Sequence, residues 1–122
     1  MILVDSSGWI EYLAAGPKAD EFAPYIEGPE PLVSSAIQVY EIYKVVRRDL
    51  SEERAIEAVS ALRTTKIEPL AESLALEAAD VALEHGLAMA DAIIFATASR
   101  YEAQIITGDV DFDGLPRVTL LR

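Results

Sequence analysis

The sequence predicts an α/β fold built on a parallel sheet, and three observations carry that expectation. Short apolar runs alternate with helical patterns along the chain. The first run, Met1-Ile2-Leu3-Val4, is apolar throughout, as in a strand covered on both faces. It stops at Asp5-Ser6-Ser7, and a late run, Gln104-Ile105-Ile106-Thr107, stops in the same manner at Gly108-Asp109. In open α/β sheets, ligands collect beyond the carboxyl ends of the strands.

The elements follow in order. After the first strand, Gly8 to Ala15 reads as a helix with Trp9, Tyr12 and Leu13 at helical spacing, closed by Gly16-Pro17. Its cap is expected at Ser6 or Ser7. A second short helix runs from Lys18 to about Tyr25, interrupted by Pro24, and Gly28-Pro29-Glu30-Pro31 marks a loop. Leu32-Val33 is a brief strand, and Ser34-Ser35 offers caps to a helix from Ala36 to about Arg48. Val39, Ile42, Tyr43 and Val46 form its apolar stripe, with Gln38, Glu41 and Arg48 along the adjacent one. A helix from Ser51 to about Thr65 completes a hairpin with it. Lys66 to Leu70 is extended and suited to a sheet edge, because Pro69 removes a ladder donor. Ala71 to His85 is a helix ending at Gly86, as a glycine C-cap requires. Leu87 to Ala98 is apolar on nearly every side except at Asp91, so it is expected to be largely buried. Val118 to Leu121 supplies the last strand.

At 122 residues, 52% of them hydrophobic, the chain reads as a single domain over 1–122 that can bury a core without staples. The absence of cysteine excludes disulfide scaffolds, thiolate zinc sites and thiol nucleophiles, and His85 as the one histidine argues against a Ser/His triad. Any catalysis must come from carboxylates. No secretory or membrane-spanning pattern is present, so a cytoplasmic location without membrane contact is expected. The net charge of −11 runs against the basic footprint of most nucleic-acid binders, unless cations or a basic partner offset it.

Four carboxylates can meet if the two matching strands are parallel neighbours. Asp5 and Asp109 would emerge at one edge, while Glu41, early in its helix, and Asp91, in the first turn of the apolar helix, can point there too. Each has an ordinary alternative as a cap, a macrodipole partner, a turn residue or a solvated side chain. Together they repel and are costly to desolvate unless a cation compensates. An all-oxygen set favours Mg²⁺ or Mn²⁺ over zinc.

These residues resemble the PIN-domain ribonucleases, and within them the VapC-type toxins of prokaryotic toxin–antitoxin pairs. The resemblance lies in Val4-Asp5-Ser6-Ser7, in Val39-Tyr40-Glu41-Ile42, in Ala90-Asp91-Ala92-Ile93-Ile94-Phe95-Ala96-Thr97-Ala98, and in Ile106-Thr107-Gly108-Asp109-Val110-Asp111-Phe112. It spans almost the whole chain. It implies a three-layer α/β/α sandwich with a central, mostly parallel sheet of four to five short strands. It also implies a Mg²⁺- or Mn²⁺-dependent endoribonuclease site formed by Asp5, Glu41, Asp91 and Asp109. Ser7 and Thr107 would steady that site, and Asp111 would be a further acidic position. The family more often has threonine where Ser6 stands. Homodimerisation and a small antitoxin partner are implied as well.

Arg47, Arg48 and Arg100 are candidate RNA contacts, and Tyr40 and Tyr43 could stack on bases, although core packing is the expected role of both tyrosines. Two other classes compete. One is a PIN-fold binding module without turnover. The other is a receiver-type phosphoacceptor domain, which wants paired acids near the first strand and a lysine after a late strand, whereas the lysines here are Lys18, Lys44 and Lys66. A haloacid-dehalogenase-type phosphatase would want aspartate at Ser7.

Overall fold

The computed structural model describes residues 1–121. Five short strands, β1 (Ile2–Val4), β2 (Val33–Ser35), β3 (Lys66–Glu68), β4 (Gln104–Thr107) and β5 (Val118–Leu120), all pair in parallel. β1, β4 and β5 form one ladder and β2 and β3 another, joined by a single bridge between Ile2 and Leu32. The spatial order is therefore β3-β2-β1-β4-β5. β3 takes the edge that Pro69 suggests, and β1 and β4 are central neighbours.

Side chains alternate across these strands, as the pleat dictates. Ile2, Val4 and Ile106 face a core shared with Trp9, Phe22, Ile42 and Leu62. Leu3, Val33 and Ile105 face the opposite core with Ile94, Phe95 and Phe112. The first layer holds α1 (Ser6–Leu13), α2 (Ala19–Glu27), α3 (Ala36–Asp49) and α4 (Glu52–Leu62); the other holds α5 (Glu72–His85) and α6 (Met89–Arg100). This is a three-layer α/β/α sandwich. Every residue of α6 from Ala92 to Ala98 is buried, as its apolar composition demands. Gly86 closes α5 at φ 69°, the left-handed cap conformation.

Two local expectations are corrected. Pro24 does not interrupt α2, which continues to Glu27, because Phe22 is buried in the core and Tyr25 and Ile26 pack against it on the far side of the proline. The cap of α1 is Asp5 itself, whose Oδ1 accepts from the Ser6 N–H at 2.8 Å, so the helix begins earlier than Gly8.

Gly8 is the point where α1, α2 and β1 meet. A Cβ there would stand 2.6 Å from two ring carbons of Phe22 and 2.9 Å from Val4 Cγ1. Gly8→Ala is expected to lower unfolding free energy by about 1–3 kcal/mol despite alanine's better helix propensity. Urea denaturation monitored by circular dichroism checks this, and an unchanged midpoint would reject the close packing.

Candidate functional site

The strand order reverses direction beside β1, since the chain steps outward through β2 and β3 and then returns to place β4 on the other side. Such a switch point opens a crevice beyond the carboxyl ends of the two central strands. Asp5 and Asp109 follow those two strands, within two residues of Val4 and Thr107 respectively.

Asp5 is only 4% exposed. Its Oδ2 accepts from Thr107 Oγ1 at 2.8 Å and Ser7 Oγ at 3.1 Å, while Oδ1 takes the Ser6 N–H. Burial pushes the Asp5 carboxyl above its usual pKa, the hydrogen bonds from Thr107, Ser6 and Ser7 oppose that rise, and the Glu41 charge adds to it. Thr107 serves two neighbours, because its Oγ1 also accepts the Asp109 N–H at 2.9 Å.

Glu41 reaches the same edge because α3 starts against the end of β1. Ser35 caps α3, and Gln38 returns the bond by accepting the Ser35 N–H at 3.0 Å in a capping box. The other end of the buried Gln38 amide donates to Val4 O at 2.8 Å, which ties the start of α3 to the strand leading to Asp5. One turn on, Glu41 Oε1 accepts from Ser6 Oγ at 2.8 Å. Neither Gln38 nor Ser6 was a candidate from sequence; the Ser35-to-Gln38 spacing is the signal that could have found the first.

Asp91, Asp109 and Asp111 converge, with one oxygen from each within 4.8 Å of the others. Among the described residues, this is the one group of three acidic or imidazole ligands so arranged. Asp91 is placed by the first turn of α6, and Asp109 by the short 3₁₀ turn at Val110–Phe112, where its Oδ1 accepts the Asp111 N–H at 2.9 Å. Asp91 titrates at about 7, raised first by burial and then by the charges of Asp109, Asp5, Asp111 and Glu41. All five carboxylates therefore share one field. Asp5 and Glu41 stand outside the converging trio, and Ser7 touches Asp5.

The candidate arginines lie elsewhere. Arg100 closes α6, about 13 Å along the axis from Asp91, and pairs with Glu77 at 2.6 Å and Glu68 at 3.3 Å. Arg48 pairs with Asp49 at 2.7 Å and Arg47 with Glu52 at 3.9 Å, both in the last turn of α3. Tyr40 is 59% exposed rather than packed in the core, because it lies off the apolar stripe of α3, and Lys44 Nζ sits 4.7 Å from its ring centroid. Tyr43 is half-buried and lines a groove with Val39.

A cluster of oxygen donors with one raised carboxyl pKa suits a hard divalent cation, which would remove the mutual repulsion that lifts Asp91. The carboxylates present fit Mg²⁺ or Mn²⁺ by donor type.

The family model described as the PIN domain matches residues 2–118. A search of curated proteins returns no match. Among solved structures, a toxin–antitoxin complex from Klebsiella pneumoniae is similar at TM-score 0.81 and 26% identity, over 98% of this chain and 96% of the other. The sarcin–ricin-loop-cleaving toxin VapC20 of Mycobacterium tuberculosis is similar at TM-score 0.76 and 20% identity, over 93% and 92%. A DNA-bound VapBC complex from Salmonella typhimurium is similar at TM-score 0.74 and 15% identity, over 99% and 98%.

Proposed function

The chain belongs to the PIN-domain family, and from that premise we propose that it is a metal-dependent endoribonuclease acting as the toxin of a toxin–antitoxin pair. The observation that carries the reading is the convergence of Asp91, Asp109 and Asp111 at the switch point, with Asp5 buried behind them. The likeness to a toxin that cleaves RNA supports the substrate class.

In this reading Asp91 and Asp109 would hold Mg²⁺ or Mn²⁺, Asp111 would add a third oxygen, and Asp5 and Glu41 would complete the negative field. A bound ion would supply Lewis acidity, lowering the pKa of water and offsetting charge on the attacking and leaving oxygens. The protein's own part is positional. Thr107 and Ser7 donate to Asp5 and fix it, Thr107 and Asp111 hold the Asp109 loop, and Ser6 orients Glu41. No side-chain nucleophile is required.

Single-stranded RNA is expected to be cut with Mn²⁺ or Mg²⁺ and left intact in EDTA. Undiminished cleavage in EDTA sinks the metal mechanism.

The partner part of the proposal is a small antitoxin, motivated by the toxin–antitoxin assemblies among similar structures, and a second copy of the chain. The antitoxin segment would use the groove of ≈ 290 Å³ between α3 and α4, lined by Val39, Tyr43, Ile56, Val59 and Arg63. Homodimerisation would cover exposed Leu76, Leu83 and Met89 on α5 and α6. Sedimentation velocity at micromolar concentration tests the dimer, and a monomer there rejects it. Co-purification with the product of a neighbouring small gene tests the antitoxin, and a free protein under co-expression counts against it. Among the described residues, no single helix is long and apolar enough to cross a membrane, and a cytoplasmic location is proposed on the same footing.

A further inference from the structure

A cleft of ≈ 340 Å³ lies beside the carboxylates, lined by Ser7, Glu11, Lys18, Phe22, Gly108 and Asp109. One of these residues is a cation. Lys18 follows the Gly16-Pro17 turn between α1 and α2 and is half-buried. Its backbone N–H donates to Glu11 Oε2 at 3.1 Å, beside Gly16. Glu11 is therefore engaged by the main chain of Lys18 rather than by its ammonium. Among the described residues, the ammonium contacts the Leu121 carbonyl at 3.5 Å and no carboxylate within ion-pair distance. An ammonium has three donors, and the Leu121 carbonyl takes one of them.

The surrounding charge gives that cation its significance. The chain carries −11, and Asp5, Glu41, Asp91, Asp109 and Asp111 share one edge of the sheet. A phosphodiester brought against Asp109 meets repulsion that metal ions offset at the scissile phosphate and leave at its neighbours. Arg47, Arg48 and Arg100 are each paired with carboxylates away from this cleft. Among the described residues, Lys18 alone lines it with an unpaired positive charge.

We propose that Lys18 and the cleft between Ser7 and Asp109 form a phosphate subsite for a single-stranded nucleic acid, holding a phosphate next to the one that is cut. This rests on the nuclease reading above. Lys18 acts as a binding residue and takes no part in the bond-breaking step.

The test uses Lys18→Gln and Lys18→Arg. Binding of a single-stranded RNA oligonucleotide is measured by fluorescence anisotropy across a salt series in an Asp91→Asn background, and cleavage kinetics with Mn²⁺ are measured in the otherwise unaltered chain. One phosphate contact contributes about 0.7 to the slope of log affinity against log salt for a single strand. Lys18→Gln is expected to reduce the slope by about that amount and to raise KM about 3- to 10-fold with kcat within about twofold. Lys18→Arg is expected to keep the wild-type slope and KM. An unchanged slope and KM in Lys18→Gln overturns the proposal. So does an equal loss in both variants with a lower Tm, which makes Lys18 merely an anchor for Leu121. If instead the wild-type chain fails to cleave with metal, the nuclease reading falls, and the salt slope still decides whether Lys18 binds phosphate.

Discussion

Asp91→Asn protein is expected to lose RNA cleavage by about two to three orders of magnitude and, in EDTA above pH 7, to melt at a higher temperature than wild type. The two effects share a cause. Asp91 is partly buried in a field of four other carboxylates, and its pKa near 7 records how unwelcome its charge is without a cation. Between about pH 4 and pH 7 the folded chain keeps this proton and the unfolded chain does not, so stability falls as pH rises through that window and levels off above it. Position in the first turn of α6 favours the charge, by about 0.3–1 kcal/mol, too little to reverse the sign. With the shift discounted for partial solvation, asparagine is expected to add about 1–2 kcal/mol at pH 8, or several degrees in Tm. Thermal melts from pH 5 to 8, with EDTA and with Mg²⁺, check this. Wild type should lose stability toward pH 8 in EDTA and regain it with Mg²⁺, while the variant stays flat. A variant melting below wild type at pH 8 contradicts the repulsive field.

Thr107→Val is expected to destabilise the protein by about 2–3 kcal/mol although it preserves shape. The valine methyl cannot donate to Asp5 Oδ2, now bonded at 2.8 Å, nor accept the Asp109 N–H at 2.9 Å. Of the influences that hold the Asp5 pKa down, the Thr107 bond is the largest, so its loss leaves a buried carboxylate short of a donor and drives its pKa further upward. Thr107→Ser keeps the hydroxyl and should cost much less. Chemical denaturation of the pair isolates the hydroxyl from the methyl, and equal losses would mean that packing decides. Cleavage by the valine variant should fall about tenfold as Asp5 and Asp109 lose their common support.

Much of this architecture is legible in the sequence, for identifiable reasons. β1 and β4 are central, so they are apolar on both faces and stand out from the flanking helices, and the aspartates at their ends share one edge because the strands are parallel neighbours. Asp91 is visible because the residues around it, from Leu87 to Ala96, are otherwise apolar. What the sequence leaves hidden depends on distant residues meeting. Pro24 reads as a break until Phe22 is seen in the core, and Ser6 reads as a cap until Glu41 arrives from a helix that begins thirty residues later. Lys18 reads as the first residue of a short helix until the fold brings it into one cleft with Asp109.

The bond from Thr107 to Asp5 joins residues 102 positions apart in the chain. During synthesis Asp5 emerges 102 residues before the hydroxyl that fixes it, which lies on the strand that flanks it. Closing so long a loop is entropically costly and is rewarded only when β4 docks beside β1. An unfinished chain therefore carries the acidic residues of the site without their alignment. In the proposed reading, that order of assembly leaves the site unformed until β4 has been made and has docked beside β1.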